Sequence, residues 1–524
     1  MDSKRPSDLA PILHPFLMAV YPVLFLYSNN MGQFYPSVIV KPMLVILIST
    51  VAAWGLLGFA FRDYQRAGII VSAFLFLFFS YGHFKPIFGD RYPPHLVLLV
   101  WSLLFFLSIL LTVRWKDSIR RWTHILNIIG GALVFFTLIT IVLRQSSTMD
   151  WSLRGDSGVD RNEYSVQNEA GKYHPDIYFI VLDAYARDDV LNELYDFDNY
   201  EFLDFLRNKG FYIAENSAAN YSQTGLSIGS CFNLCYLDEI VTKYIGRKSL
   251  NRAPLKDLIS RSIVIRFLKD RGYSIVSFAT GRFETEIESA DFYLLSGEPI
   301  NNFLNALINI SPLPDIASER KEGSDFDRHR RNILYIFDNL PKVPQLDRKP
   351  KFIFAHIEVP HPPFVFGPKG EPVSYENILN DNDGDWLIRP GRLTLEEYRK
   401  AYREQLIFTN TRMKQVVTEI LSNSRRLPII LILGDHGPRS ETIWDDPGKT
   451  NMKECLSNLN ACYLPGAVNN WLYPELSPVN LFPIVFSEYF GQKVTLKPDK
   501  SYFSTAKYLY IFHDVSNQVK RVSK

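Results

Sequence analysis

The chain has 524 residues, with 57 Lys or Arg against 55 Asp or Glu and a formal net charge of +2. That balance, without any basic tract, argues against a nucleic-acid-binding role, and the length exceeds what one domain usually needs. The average composition conceals an asymmetry: residues 1 to 144 are largely apolar and aromatic, and the remainder reads as an ordinary globular chain.

Five apolar runs occupy roughly residues 11–28, 37–61, 67–84, 95–113 and 124–143. Each approaches the ~20 residues a helix needs to cross the hydrocarbon core, the third being the weakest of them. A cleaved signal peptide does not explain the first run, because no small-residue cleavage site follows it and four more runs do. Lys4, Arg5, Arg62, Arg66, Arg114, Lys116, Arg120 and Arg121 fall on one side of these spans, and Lys41, Lys85, Arg91 and Arg144 on the other. The basic excess marks the first side as cytoplasmic, so five spans carry the C-terminal half out of the cytoplasm. Tyr27, Tyr35, Trp115 and Trp122 stand near run ends, where amphipathic rings favour the interface. No acidic residue lies within a run, which speaks for an anchor rather than a transporter.

Residues 145–174 are polar and read as a linker, so the expected division is 1–144, 145–174 and 175–524. Beyond the linker, apolar strand-like runs at 177–182, 211–214, 273–278, 351–355 and 429–433 alternate with helical stretches at 200–209, 261–271 and 394–422. This alternation predicts an α/β domain with a largely parallel sheet covered by helices on both faces. Sites in such sheets form at the carboxyl ends of strands. Asp183, His356 (with Glu358 and His361 just beyond), and Asp435-His436 all fall there.

Asn220-Tyr-Ser-Gln-Thr-Gly-Leu-Ser227 leads small hydroxylated residues into an apolar-periodic segment, as at the start of a helix. Thr224 there is either a helix cap or a nucleophile at the positive end of the helix dipole. With Asp183, Asp435 and His436 it makes an O/N ligand set suited to Zn or Mn, with Mg or Ca as alternatives. Such an ion lowers the pKa of a bound hydroxyl and polarises a phosphoryl or sulfuryl oxygen. Taken singly, each residue has an ordinary structural reading: a turn Asp, a loop His, a capping Thr. Their joint placement at strand ends favours a site. Ser222 and Ser227 are rival hydroxyls.

Four segments resemble the sulfatase-like branch of the alkaline phosphatase superfamily: Pro175-Asp-Ile-Tyr-Phe-Ile-Val-Leu-Asp-Ala-Tyr185, residues 220–227, Ala355-His-Ile-Glu-Val-Pro-His-Pro-Pro-Phe364 and Leu433-Gly-Asp-His-Gly437. Together with five N-terminal spans, the pattern is similar to lipoteichoic acid synthases and phosphoethanolamine transferases. The resemblance implies metal ligation by Asp183, Thr224, Asp435 and His436, with Thr224 as nucleophile. It also implies that His361 contacts the substrate head group, and His356 is grouped with it on the substrate side. One firmly bound metal is expected. These transferases carry Glu where this chain has Asp183, which implies a separate subfamily. Cys231-Phe-Asn-Leu-Cys235 lacks the Pro and Arg of the formylglycine motif, which disfavours sulfate ester hydrolysis by that route.

The four cysteines, Cys231, Cys235, Cys455 and Cys462, allow three full disulfide pairings, a zinc site or buried free thiols. The stretch Asp327-Arg-His-Arg-Arg331 reads as a solvated helix face. The expected function is transfer of a phospho-substituent, of phosphoethanolamine or phosphoglycerol type, from a membrane lipid donor to an envelope glycan or lipid acceptor. Hydrolysis of a phosphodiester or sulfuric ester on the same fold is the alternative, and an inactive envelope scaffold the second. No protein partner follows from the sequence.

Overall fold

The computed structural model describes residues 11–31, 36–88, 93–114, 118–146, 174–297, 302–317, 325–373, 384–389, 391–467, 471–493 and 495–520. The chain divides into two compact units. One comprises Met1–Asp150 with Pro299–Glu322, the other Trp151–Glu298 with Gly323–Lys524.

The first unit contains α1 (His14–Asn29), α2 (Val40–Phe61), α3 (Tyr64–Phe88), α4 (Pro94–Arg114) and α5 (Ile119–Ser146). Among the described residues, four stretches, Pro36–Phe61, Tyr64–Lys85, His95–Arg114 and Ile119–Leu143, are long and apolar enough to cross a membrane. Of the five spans expected, four are met by length and hydropathy, and the short one is the first rather than the third. At 16 residues, α1 extends about 24 Å, less than the ~30 Å hydrocarbon core. It packs against α2, α3 and α5 and buries Met18, Ala19, Val23 and Leu24 among them. A helix surrounded by helices needs no full-length lipid-facing surface. In contrast, α2, α4 and α5 leave Leu44, Ile48, Phe59, Leu103, Phe106, Phe135 and Phe136 exposed, as lipid-facing helices do. Tyr27, expected at the interface, is buried within the bundle, whereas Trp122 is exposed. Lys4, Arg5, Tyr35, Arg91, Trp115, Lys116 and most of the linker lie outside the described residues, as does the side chain of Arg144.

The second unit runs β1 (Ile177–Leu182), α6 (Asp188–Tyr195), α7 (Tyr200–Asn208), β2 (Tyr212–Ile213), α8 (Thr224–Asn233), α9 (Ala253–Ser260), α10 (Ile263–Asp270), β3 (Ser274–Phe278) and β4 (Phe292–Leu294). Next come α11 (Asn302–Asn309) and α12 (Leu313–Ala317), which fold with the first unit. The second unit resumes with α13 (Asp325–Asn339), β5 (Lys351–Ile357), α14 (Leu395–Asn423), β6 (Ile429–Leu433), β7 (Asn460–Tyr463) and α15 (Leu481–Phe490). The seven-stranded sheet has the order β2-β7-β6-β1-β5-β3-β4. β6, β1, β5, β3 and β4 are parallel, and β7 is antiparallel to both of its neighbours.

Side-chain alternation along β1 divides the core in two. Tyr178, Ile180 and Leu182 point into a layer with α6, α7, α13 and α14, while Ile177, Phe179 and Val181 face α8, α10 and α15. Both faces of the sheet are thus covered, which is why the strand reads as a continuous apolar run. The long α14 starts at a capping box, in which the Thr394 hydroxyl accepts from Glu397 N–H and the Glu397 carboxylate accepts from Thr394 N–H. Register fixes the site. Leu182 pairs with Ile357 and Val181 with Leu433, so β1, β5 and β6 end at one edge. β5 runs two residues past the expected end and holds His356 inside the sheet.

The Asp327–Arg331 stretch is a solvated face only in part: Arg331 is exposed, whereas His329 and Arg330 turn inward. The Arg330 guanidinium donates to Val365 O at 3.0 Å, and His329 Nδ1 lies 3.4 Å from Glu358 Oε2.

Candidate active site and metal centre

The chain leaves β1 at Asp183 through a sharp turn in which Ala184 adopts φ 63°, the left-handed region. A non-glycine residue there costs about 1–2 kcal/mol. The turn aims the Ala184 N–H at Asp435 Oδ1, 3.1 Å away, and leaves Asp435 Oδ2 facing His436. Gly434 and Gly437 bracket the Asp-His pair for a steric reason. A Cβ on Gly434 would collide with Tyr185 O, and one on Gly437 with Glu454 O. These close backbone approaches seat the post-β6 turn against the post-β1 turn and against the Met452–Leu456 helix.

His436 Nε2 lies 3.3 Å from Asp183 Oδ1, 3.3 Å from Asp435 Oδ2 and 3.3 Å from Thr224 Oγ1. His436 Nδ1 is 2.8 Å from Gly437 O. A carbonyl only accepts, so Nδ1 carries the ring proton and Nε2 presents a lone pair. Asp183 Oδ1 and Asp435 Oδ2 are buried without a hydrogen-bond donor, an arrangement costing several kcal/mol for ionised carboxylates left so. Protonation of Nε2 would satisfy one of these oxygens, whereas a divalent cation satisfies all of them. The spacing fits such an ion: four ligands set tetrahedrally at about 2.0 Å stand about 3.3 Å apart. The donor set therefore suits a small divalent metal.

His356, expected on the substrate side, instead lies against the acidic cluster. Its Nε2 is 3.2 Å from Asp183 Oδ2 and its Nδ1 3.0 Å from Thr285 Oγ1. Asp183, His356 and Asp435 are all buried and close enough to hold one ion. Burial alone would raise the Asp183 pKa. The charges of His361 and Arg282, with the hydrogen bond from His356, outweigh it and hold the carboxyl well below its usual range. For His356 burial favours the neutral ring, but Asp183, with Asp435 and Glu358, raises its pKa overall.

Thr224 is the first residue of α8. Its helix end is tied down from several sides. Ser222 O accepts from the Arg439 guanidinium, Gln223 Oε1 accepts from Arg252 Nη2 at 3.0 Å, and Ser222 Oγ accepts from Ser504 N–H at 3.3 Å. Of the three rival hydroxyls, Thr224's is the one with a described contact to His436. Ser222 faces residue 504, and Ser227 is buried about one turn into the helix.

Arg282 is a site residue that sequence reasoning missed. It follows β3 in the loop Thr280-Gly-Arg, and its Nε lies 3.3 Å from Asp183 Oδ2 and 2.5 Å from Glu358 Oε1. Its Nη2 is 3.2 Å from His361 Nδ1. The strand-end rule that located Asp183 and Asp435 applies equally to β3 and was the available signal. His361 is buried, its ring centre 6.1 Å from that of His436, and Gln405 Nε2 donates to its carbonyl at 2.9 Å. A cationic rim of Arg282, His361 and the α8 N-terminus thus borders the acidic cluster, an arrangement suited to an anion held beside a metal.

All four cysteines are free thiols, and Cys231, Cys455 and Cys462 are buried. Burial pushes the Cys462 thiol up to about 12. No cysteine joins the group of candidate metal ligands found among the described residues.

No family model matches the chain, and no curated protein matches it in sequence. Among solved structures, the backbone is similar to the zinc-complexed C-terminal periplasmic domain of EptC from Escherichia coli, at 12% identity and a TM-score of 0.43, over 66% of this chain and 94% of that one. It is also similar to the integral membrane lipooligosaccharide phosphoethanolamine transferase A from Neisseria meningitidis, at 10% identity and a TM-score of 0.39, over 91% and 95% of the two chains. A putative sulfatase from Bacteroides thetaiotaomicron matches at 12% identity and a TM-score of 0.39, over 64% of this chain and 75% of that one. The solved structures to which this chain is similar thus include phosphoethanolamine transferases and sulfatases.

Proposed function

We propose that this protein is a membrane-anchored, extracytoplasmic metal-dependent phosphotransferase, in which Asp183, Thr224, Asp435 and His436 hold the metal and Thr224 is the nucleophile. The observation that carries the reading is the set of three 3.3 Å separations around His436 Nε2, with the Thr224 hydroxyl as one vertex. A divalent ion bound there supplies a Lewis acid, which favours the alkoxide of Thr224 and polarises a phosphoryl oxygen.

In the first step Thr224 Oγ forms a bond to the phosphorus of a phosphodiester lipid as the lipid alcohol's P–O bond breaks. The alcohol departs with a proton, and the phospho-substituent remains esterified to Thr224. In the second step an acceptor hydroxyl on an envelope glycan or lipid attacks the same phosphorus and frees Thr224. Arg282, His361 and the α8 N-terminus face the phosphoryl oxygens and offset their charge. The sequence resemblance names phosphoethanolamine or phosphoglycerol as the substituent. Water in place of the acceptor gives hydrolysis from the same intermediate.

The test is mass spectrometry of envelope lipids and glycans from cells carrying wild-type protein or Thr224→Ala. The variant is expected to lose the transferred substituent by about 10³-fold or more, with its thermal unfolding little changed. Undiminished transfer in the variant sinks the nucleophile, and a change confined to sulfate esters sinks the phosphoryl reading.

A further inference from the structure

Residues 299–317 read Pro-Ile-Asn-Asn-Phe-Leu-Asn-Ala-Leu-Ile-Asn-Ile-Ser-Pro-Leu-Pro-Asp-Ile-Ala, with Asp315 their single charge. In sequence they lie between β4 and α13 of the second unit, yet residues 302–317 fold with the helical first unit. α11 packs on α1 and α12 on α4. Phe303 and Leu307, four residues apart on α11, enter the apolar core shared by α1 and α3. Gly82 of α3 permits the closest approach. Its N–H donates to Ile310 O at 3.0 Å, and a Cβ there would collide with the backbone of Asn309 and Ile310. Asp315 accepts from Tyr81 Oη at 2.5 Å and from Lys85 Nζ at 2.6 Å. Tyr81 and Lys85 belong to the C-terminal part of α3, on the side of the bundle where α4 begins and from which α5 leads to the second unit.

The outward face of this pair is apolar. Leu304, Leu313 and Ile316 are 41%, 43% and 58% exposed. Three exposed large apolar side chains in 16 residues contrast with eight over the whole described second unit. The patch is continuous with a lipid-facing surface, because on α4, against which α12 packs, Leu96 and Leu99 are 41% and 55% exposed. At eight and five residues, α11 and α12 are too short to span a bilayer. Short apolar-faced helices beside a transmembrane bundle suit the boundary between head groups and acyl chains.

We propose that α11 and α12 form a second membrane anchor, with Leu304, Leu313 and Ile316 entering the lipid surface on the side of the bundle from which α5 emerges. The chain passes between the two units at residues 150–151, 298–299 and 322–323, so the second unit is tethered to the membrane through this loop as well as through α5. The inference does not rest on the chemistry proposed for the site.

The test uses the full chain in nanodiscs of phosphatidylethanolamine and phosphatidylglycerol, doped with a phospholipid bearing a diazirine near the head-group end of its acyl chain. After illumination, adducts are mapped by peptide mass spectrometry. Adducts are expected at Leu304, Leu313 and Ile316 at the level found on Leu96 and Leu99 of α4. Adducts on α4 with none over residues 302–317 overturn the proposal. The double variant Leu313→Asp with Ile316→Asp changes two exposed positions, and is expected to lose the α12 adducts while keeping those on Leu96. Undiminished α12 adducts in that variant likewise overturn it.

Discussion

At the residue scale the site turns on one imidazole nitrogen. His436 Nε2 stands equally far from two carboxylate oxygens and a threonine hydroxyl, and two of those oxygens lack a donor. Mutual repulsion among such groups is relieved by a cation, which links metal binding to stability. At a free zinc concentration a hundredfold above Kd, binding to the folded state adds about 2.7 kcal/mol. Wild-type protein is therefore expected to unfold at a higher temperature with zinc or manganese than with a chelator. Asp183→Asn keeps the shape of the side chain but removes its charge, and should abolish most of that metal-dependent gain in calorimetry. An equal gain in the variant would remove Asp183 from the ligand set.

At the element scale, close backbone approach explains why the turn after β6 reads Gly-Asp-His-Gly. Gly437 touches the backbone of Glu454 and Ser457, and the Glu454 carboxylate is itself anchored by Tyr195 Oη at 2.6 Å and Glu441 N–H at 2.8 Å. The Met452–Leu456 helix therefore has little room to retreat. Gly437→Ala is expected to destabilise the protein by about 1–3 kcal/mol through overpacking and to displace His436. A lowered denaturation midpoint together with reduced metal content would register both effects. An unchanged midpoint would show that the helix yields.

At the scale of the whole molecule, the proposed sidedness depends on whether α1 crosses the membrane. Among the described residues four helices meet the length and hydropathy of a span, and four crossings alone would leave the segments before and after them on one side. α1 is short, but it is packed among α2, α3 and α5. The proposed extracytoplasmic placement of the second unit requires α1 to be a fifth crossing, with the basic excess on the cytoplasmic side. C-terminal fusions in a bacterial host are the check. A periplasm-dependent phosphatase reporter should be active and a fluorescent protein that folds in the cytoplasm dark. The reverse pattern would mean that α1 does not cross.

The sequence by itself determined the helical front half, the parallel α/β sheet and the strand-end positions of Asp183, Asp435 and His436. Hydrophobic periodicity and the run lengths of apolar residues are local properties and survive without coordinates. It did not determine that His356 lies against Asp183, that Arg282 spans Asp183 and Glu358, or that residues 302–317 leave the second unit to join the helical bundle. Those depend on register between strands distant in sequence and on which surfaces meet, as with Gly82 against Ile310. They are settled by long-range packing, which a one-dimensional pattern does not encode.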